Sequence, residues 1–124
     1  MLFFYIIKIL MTNPSRYPSI AIANGSEISF YWPKDIVYCK SEGNYTTVFL
    51  LGGEKVTTAK KLKDLESTLP HDRFIRVHHS FVINLTHVKK FLNDERKLAV
   101  MTDGMEIQVS RRRKSEFLGR FIKL

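Results

Sequence analysis

Three turn dipeptides punctuate this chain, and each stands between stretches of alternating apolar and polar residues. Asn24-Gly25 separates Ile20-Ala21-Ile22 from Ile28-Ser29-Phe30. Gly52-Gly53 separates Tyr45–Leu51 from Lys55–Ala59, and Asp103-Gly104 separates Lys97–Met101 from Met105–Val109. Alternation of period two places successive side chains on opposite faces of an extended chain, and such dipeptides close hairpins. The pattern leaves little choice but antiparallel strands with short connections. Ile36-Val37-Tyr38-Cys39 adds a strand after the turn Trp32-Pro33-Lys34-Asp35, and Ser41-Glu42-Gly43-Asn44 breaks the chain before Tyr45. Phe74–His78, Ser80–Leu85 and Val88–Leu92 complete the set, with Asn93-Asp94-Glu95 as a turn.

Two segments depart from period two. Leu62, Leu65 and Leu69 fall at i, i+3 and i+7, one face of a short helix over Lys60–Leu69 that Pro70 ends. After Ser110, a good helix cap, Phe117/Phe121 and Leu118/Ile122 form an i, i+4 apolar stripe, which predicts a terminal helix. The expected fold class is mainly β: small antiparallel sheets with a short internal helix and a C-terminal helix.

With 124 residues the chain suits one domain with a real core. A hydrophobic fraction of 44% argues against disorder. The lone Cys39 excludes an internal disulfide and a cysteine zinc cage, and fits a reducing cytoplasm. Twenty basic against twelve acidic residues favour a polyanionic partner, nucleic acid or an anionic membrane surface. The excess is concentrated. Residues 1–70 carry eight basic and six acidic side chains, residues 71–124 twelve and six. Enzyme motifs are absent from the sequence: no G-x-S-x-G elbow, no G-x-G-x-x-G, no phosphate loop, and no zinc spacing among His71, His78, His79 and His87. The expectation is a non-enzymatic protein without a cofactor.

Residues 1–10, MLFFYIIKIL, are too short to span a bilayer and lack a basic stretch and cleavage site for export. Three readings stay open: a packed strand or helix, a membrane or partner contact, or a start at Met11 instead, which we favour. Residues 1–19 are accordingly set apart as an extension, and 20–124 form the domain.

Three constellations are candidates for binding. The first is Arg111, Arg112, Arg113 and Lys114, which follow the cap Ser110. Cations in a first helical turn oppose the helix dipole, yet they surround free backbone N–H groups. A phosphate or guanine contact is favoured over a solvated basic face. The second is Phe74–Asn84. Arg76 and His79 divide evenly between binding and solvation, while His78, Ser80 and Asn84 read better as structural. The third is the loop Ser41–Thr47. Asn44, Tyr45, Thr46 and Thr47 could reach phosphates or base edges, or the loop is an ordinary turn with Gly43 or Asn44 at positive φ.

Several stretches, in order, resemble the LytTR-type DNA-binding domain of bacterial response regulators. They are Asp35-Ile36-Val37-Tyr38 leading into Glu42-Gly43-Asn44-Tyr45, then Leu62-Lys63-Asp64-Leu65-Glu66 with Leu69, then Phe74–Leu85, then Asp103-Gly104, and last Ile107–Arg111. The resemblance covers about residues 20–122 and implies an elongated, mainly β unit whose loops enter successive major grooves. It assigns one groove to Asn44–Thr47, the middle of the site to His79 beside the Arg76–Ser80 turn, and the next groove to Arg111, with Arg112, Arg113 and Lys114 on phosphates. Lys40, Ile83 and His79 depart from the usual family residues. The family usually has a receiver domain upstream, and about 20 residues precede the domain here. That implies a stand-alone cytoplasmic regulator, or control through another protein such as a membrane protein encoded nearby. Double-stranded DNA is the expected partner, bound by a homodimer or cooperative pair on paired direct repeats. The alternatives are a basic membrane-associated interaction protein and a non-specific RNA binder stacking bases on Tyr45, Phe49 or Phe81.

Overall fold

A computed structural model describes residues 17–124; the readings of residues 1–10 lie outside the described residues. The strands are β1 (Ile20–Asn24), β2 (Glu27–Tyr31), β3 (Ile36–Glu42), β4 (Tyr45–Leu50), β5 (Lys55–Thr58), β6 (Phe74–His78), β7 (Phe81–Asn84), β8 (Val88–Leu92), β9 (Leu98–Met101) and β10 (Glu106–Gln108). The helices are α1 (Leu62–Thr68) and α2 (Lys114–Gly119). All pairings are antiparallel, in a hairpin β1-β2, a three-stranded sheet β10-β9-β8 and a five-stranded sheet β5-β4-β3-β7-β6. The mainly β expectation holds, with both helices in their expected places.

Local chemistry accounts for the differences in detail. Asn24 pairs with Glu27, so the first hairpin turns on Gly25-Ser26 rather than Asn24-Gly25. Ser41 and Glu42 continue β3, because they pair with Thr46 and Tyr45. Only Gly43-Asn44 forms that turn, and Gly43 stands at φ +66°, which a side chain would oppose.

The five-stranded sheet is covered on both faces. On one, Val37, Tyr38, Ile75, Val77 and Ile83 meet Ala99, Met101 and Ile107 of the three-stranded sheet, together with Val109 and Phe117. On the other, Ile36, Cys39, Val48, Phe74 and Val82 meet Leu62 and Leu69 of the α1 region and Ile22 of β1. This explains why Ile36–Cys39 is apolar without interruption: all four are buried, as in any strand packed on both sides. A register shift between Ile36 and Tyr38 lets Val37 and Tyr38 enter the same core. Burial pushes the Cys39 thiol up to about 12, so it is a neutral core group.

Asn84 is the polar pin of this arrangement. It is fully buried; its Nδ2 donates to the carbonyls of Pro33 (3.2 Å) and Ile36 (2.9 Å), and its Oδ1 accepts from Thr86 N (2.9 Å). The structural reading of Asn84 therefore holds, although two of its partners lie about fifty residues away. Asn84→Leu removes these bonds: the Pro33 carbonyl keeps the Ile36 N–H, but the Ile36 carbonyl and the Thr86 N–H lose the side chain that serves them. Urea titration should show a loss of about 1–3 kcal/mol; an unchanged midpoint would refute the assignment.

Candidate nucleic-acid interface

The centre of the site is the two-residue turn His79-Ser80 that joins β6 to β7. Arg76 braces it. Its Nε donates to the His78 carbonyl at 2.9 Å and its Nη2 to the His79 carbonyl at 2.6 Å. Its Nη1 donates to Glu66 Oε1 of α1 at 3.0 Å. With these three bonds and a side chain only 15% exposed, Arg76 faces inward rather than offering its guanidinium to a ligand. His78 is structural as well: its Nδ1 accepts from Ser80 N (3.1 Å), and its ring lies 5.9 Å from that of Phe81. What the turn presents outward is His79, which is exposed.

The second element is the turn before α2. Arg113 and Lys114 both donate their backbone N–H to the Ser110 carbonyl, at 3.0 and 3.1 Å, and Arg113 N also reaches Ser110 Oγ at 3.3 Å. Ser110 thus caps this turn as expected, but the helix begins at Lys114. Arg111, Arg112 and Arg113 precede it rather than filling its first turn. Arg113 N closes an i→i−3 turn and Lys114 N an i→i−4 turn on the same carbonyl, so the three arginines stand in the turn that leads into the helix. The helix also stops at Gly119, which leaves Ile122 of the expected stripe exposed.

The four basic side chains divide into two kinds. Arg113 Nη1 lies 3.9 Å from Glu66 Oε2 and 3.9 Å from Glu116 Oε2, with its side chain 26% exposed. Lys114 is half-buried. Arg111 and Arg112 are exposed and form no ion pair among the described residues.

The third element is the β3–β4 hairpin tip, where Asn44 and Tyr45 are exposed. Thr46 and Thr47 are buried, against the expectation that they offer hydroxyls. Thr46 Oγ1 donates to the Lys60 carbonyl at 2.8 Å, and Thr47 Oγ1 to Glu42 Oε2 at 3.1 Å. The Thr47 hydroxyl holds the hairpin together, and that of Thr46 ties it to the segment after β5. Of the three candidate stacking rings, Tyr45 is exposed, whereas Phe49 and Phe81 are partly buried beside Tyr38, at centroid distances of 4.4 and 6.1 Å.

Backbone hydrogen bonds tie the three elements together. Ser41 N donates to the Ser80 carbonyl at 2.9 Å, which ties the β3–β4 hairpin to the central turn. Ser110 N donates to the Val77 carbonyl at 2.8 Å, which ties the basic turn to β6. Between the last two, a concavity of ≈ 290 Å³ is lined by Arg76, His78, His79, Ser110, Arg112 and Arg113. It sets the exposed guanidinium of Arg112 beside the exposed His79, with the half-buried Arg76 and Arg113 behind them, a set that suits a phosphate or a base edge. Among the described residues no group of three or more His, Cys, Asp or Glu is placed to hold a metal ion.

Glu66 received no role from the sequence. It sits on α1, ten residues from Arg76, and linear spacing cannot signal a contact between a helix and the edge strand β6. Its placement four residues after Leu62 and three before Leu69, a charge on the flank of the apolar stripe, is the one cue in the sequence.

A profile for the LytTr DNA-binding domain matches residues 26–121. The transcriptional regulatory protein NatR of Bacillus subtilis is 35% identical over 80 residues, covering 64% of this chain and 34% of that protein. The sensory transduction protein LytT of the same organism is 35% identical over 95 residues, covering 74% and 39%. The chain thus spans less than half the length of these curated relatives. A solved LytTr DNA-binding domain from Bacillus cereus superimposes with a TM-score of 0.71 at 25% identity, over 82% of this chain and 94% of that one.

Proposed function

The chain belongs to the LytTr DNA-binding domain family, and from that premise we propose that it is a sequence-specific, double-strand DNA-binding regulator of transcription without enzyme activity. The observation that carries this reading is a pair of exposed arginines, Arg111 and Arg112, that form no ion pair among the described residues and stand in a turn tied to β6 by the Ser110–Val77 backbone bond, with Arg112 lining the same concavity as exposed His79. Arg111 enters a major groove and reads guanine, whose O6 and N7 accept a guanidinium fork. Arg112 and Lys114 lie on phosphates, which position the protein without reading sequence. His79 contacts the middle of the site, and Asn44 with Tyr45 enters the neighbouring groove.

The buried residues of the candidate set act differently in this reading. Thr46, Thr47 and Arg76 shape the loops that present the others, and Ser80 fixes the central turn through its backbone. A single module of this size gives limited affinity, so two copies bind cooperatively on paired direct repeats. The controlling input comes from another domain or another protein, a membrane protein encoded nearby being one candidate. Among the described residues no helix is long and apolar enough to cross a membrane.

The test is a salt titration. The protein is offered a duplex selected from a random pool, a scrambled duplex and a single-stranded RNA of equal length. The log of the affinity for the selected duplex should fall linearly with log salt, by about 0.9 per phosphate contacted, and should exceed that for the scrambled duplex roughly 10³-fold or more. Binding that is independent of salt, or tighter to RNA than to either duplex, would remove the DNA-binding reading.

A further inference from the structure

An acid stands inside the basic cluster. Glu66 takes Arg76 Nη1 on one carboxylate oxygen at 3.0 Å and lies 3.9 Å from Arg113 Nη1 with the other. Arg76 in turn clamps the carbonyls of His78 and His79. One carboxylate on α1 therefore touches both the brace of the central turn and the last arginine of the basic turn. For affinity to a polyanion alone this placement is unfavourable. The carboxylate repels phosphates and engages two guanidinium groups that would otherwise attract them. Specificity is a difference between affinities, and lowering the affinity for unselected sequences serves it.

We propose that Glu66 is a specificity-determining positioning residue, which holds Arg76 and Arg113 away from the DNA backbone and keeps the His79 turn in one shape. It touches no DNA itself. With its charge in place, Arg113 is committed within the protein, and only Arg111 and Arg112 of this turn meet the ligand. Without it, Arg113 gains a phosphate on any sequence while the His79 turn loses definition. This inference rests on the DNA-binding reading above.

Glu66→Gln tests it, because glutamine keeps the size of the side chain but removes the charge that holds both Arg76 and Arg113. The whole chain is titrated with the selected and the scrambled duplex across a salt series, and thermal unfolding is followed in parallel. For the scrambled duplex we expect a salt slope steeper by about 0.9 and an affinity roughly fivefold higher at about 0.15 M salt, the effect of one added phosphate contact. The selected duplex should gain nothing, so the ratio of the two affinities falls by about the same fivefold factor.

Glu116→Gln is the companion variant. Glu116 is equally close to Arg113 but has no contact with Arg76. It should raise both affinities alike and leave their ratio unchanged. A merely structural Glu66 would lower the unfolding temperature and weaken both duplexes together at an unaltered slope, and that result overturns the inference. So does wild-type binding with slope and ratio unchanged in Glu66→Gln, or an equal fall in ratio for both variants. A wild-type protein with no salt-dependent duplex binding overturns the DNA-binding reading itself, and this inference with it.

Discussion

Replacing Arg111 and Arg112 together by alanine should weaken binding to the selected duplex by roughly 10²- to 10³-fold while leaving the fold intact. The two side chains are exposed, and neither forms an ion pair among the described residues, so their loss opens no cavity and strands no charge. The expected loss has two parts. A guanidinium fork on guanine is worth about 1–3 kcal/mol of discrimination. Each phosphate contact adds an attraction that salt screens, and its removal flattens the log–log salt slope by about 0.9. The single variants should separate these parts. Arg111→Ala should relax preference at one base position, whereas Arg112→Ala should weaken all duplexes about equally and reduce the slope. Unchanged affinity in the double variant would place the DNA surface elsewhere on the molecule.

Phe117→Ala should cost about 3–5 kcal/mol in denaturant unfolding, a large part of the 5–15 kcal/mol typical of a domain. Phe117 is the largest fully buried side chain of the protein as described. It sits among Val77, Met101, Ile107 and Val109, with the rings of Phe91 and Phe121 at centroid distances of 5.5 and 5.4 Å. It also anchors a helix of six residues, too short to persist by its own hydrogen bonds. Releasing it should free α2 and the turn at Arg111–Arg113 before the rest unfolds. DNA affinity should then fall at temperatures where the five-stranded sheet still gives its native circular dichroism. A loss under 1 kcal/mol would mean that the surroundings close over the gap.

Much of the architecture was legible along the chain, because its signals are local. Period-two alternation and glycine-bearing turns located nearly every strand, and the leucine spacing with Pro70 located α1. The errors were small shifts with local causes. The hairpin turned one residue later because Asn24 pairs with Glu27. The final helix began at Lys114 because the carbonyl of Ser110 gathers a tighter turn first.

The candidate interface was legible only as a set of segments. The central turn, the basic run and the β3–β4 loop were each found, and the structure ties them together through Ser41–Ser80 and Val77–Ser110. Which members face outward was not legible. Alternation states that neighbouring residues lie on opposite faces, but not which faces are covered. Thr46 and Thr47 occupy opposite faces of β4, and both are buried because the sheet is packed on both sides.

The residues themselves, then, determined the strands, the turns, the concentration of charge after residue 70 and the family. Periodicity, backbone preference and net charge are properties of short stretches and survive without a fold. The tertiary structure decided which cations are free. Arg76 and Arg113 carry the same guanidinium as Arg111 and Arg112, yet they face Glu66, brought from α1 by the packing of Leu62 and Leu69 against the central sheet. Whether a charge is spent or available depends on what packing brings within a few ångströms of it, and that is set by contacts distant in the chain.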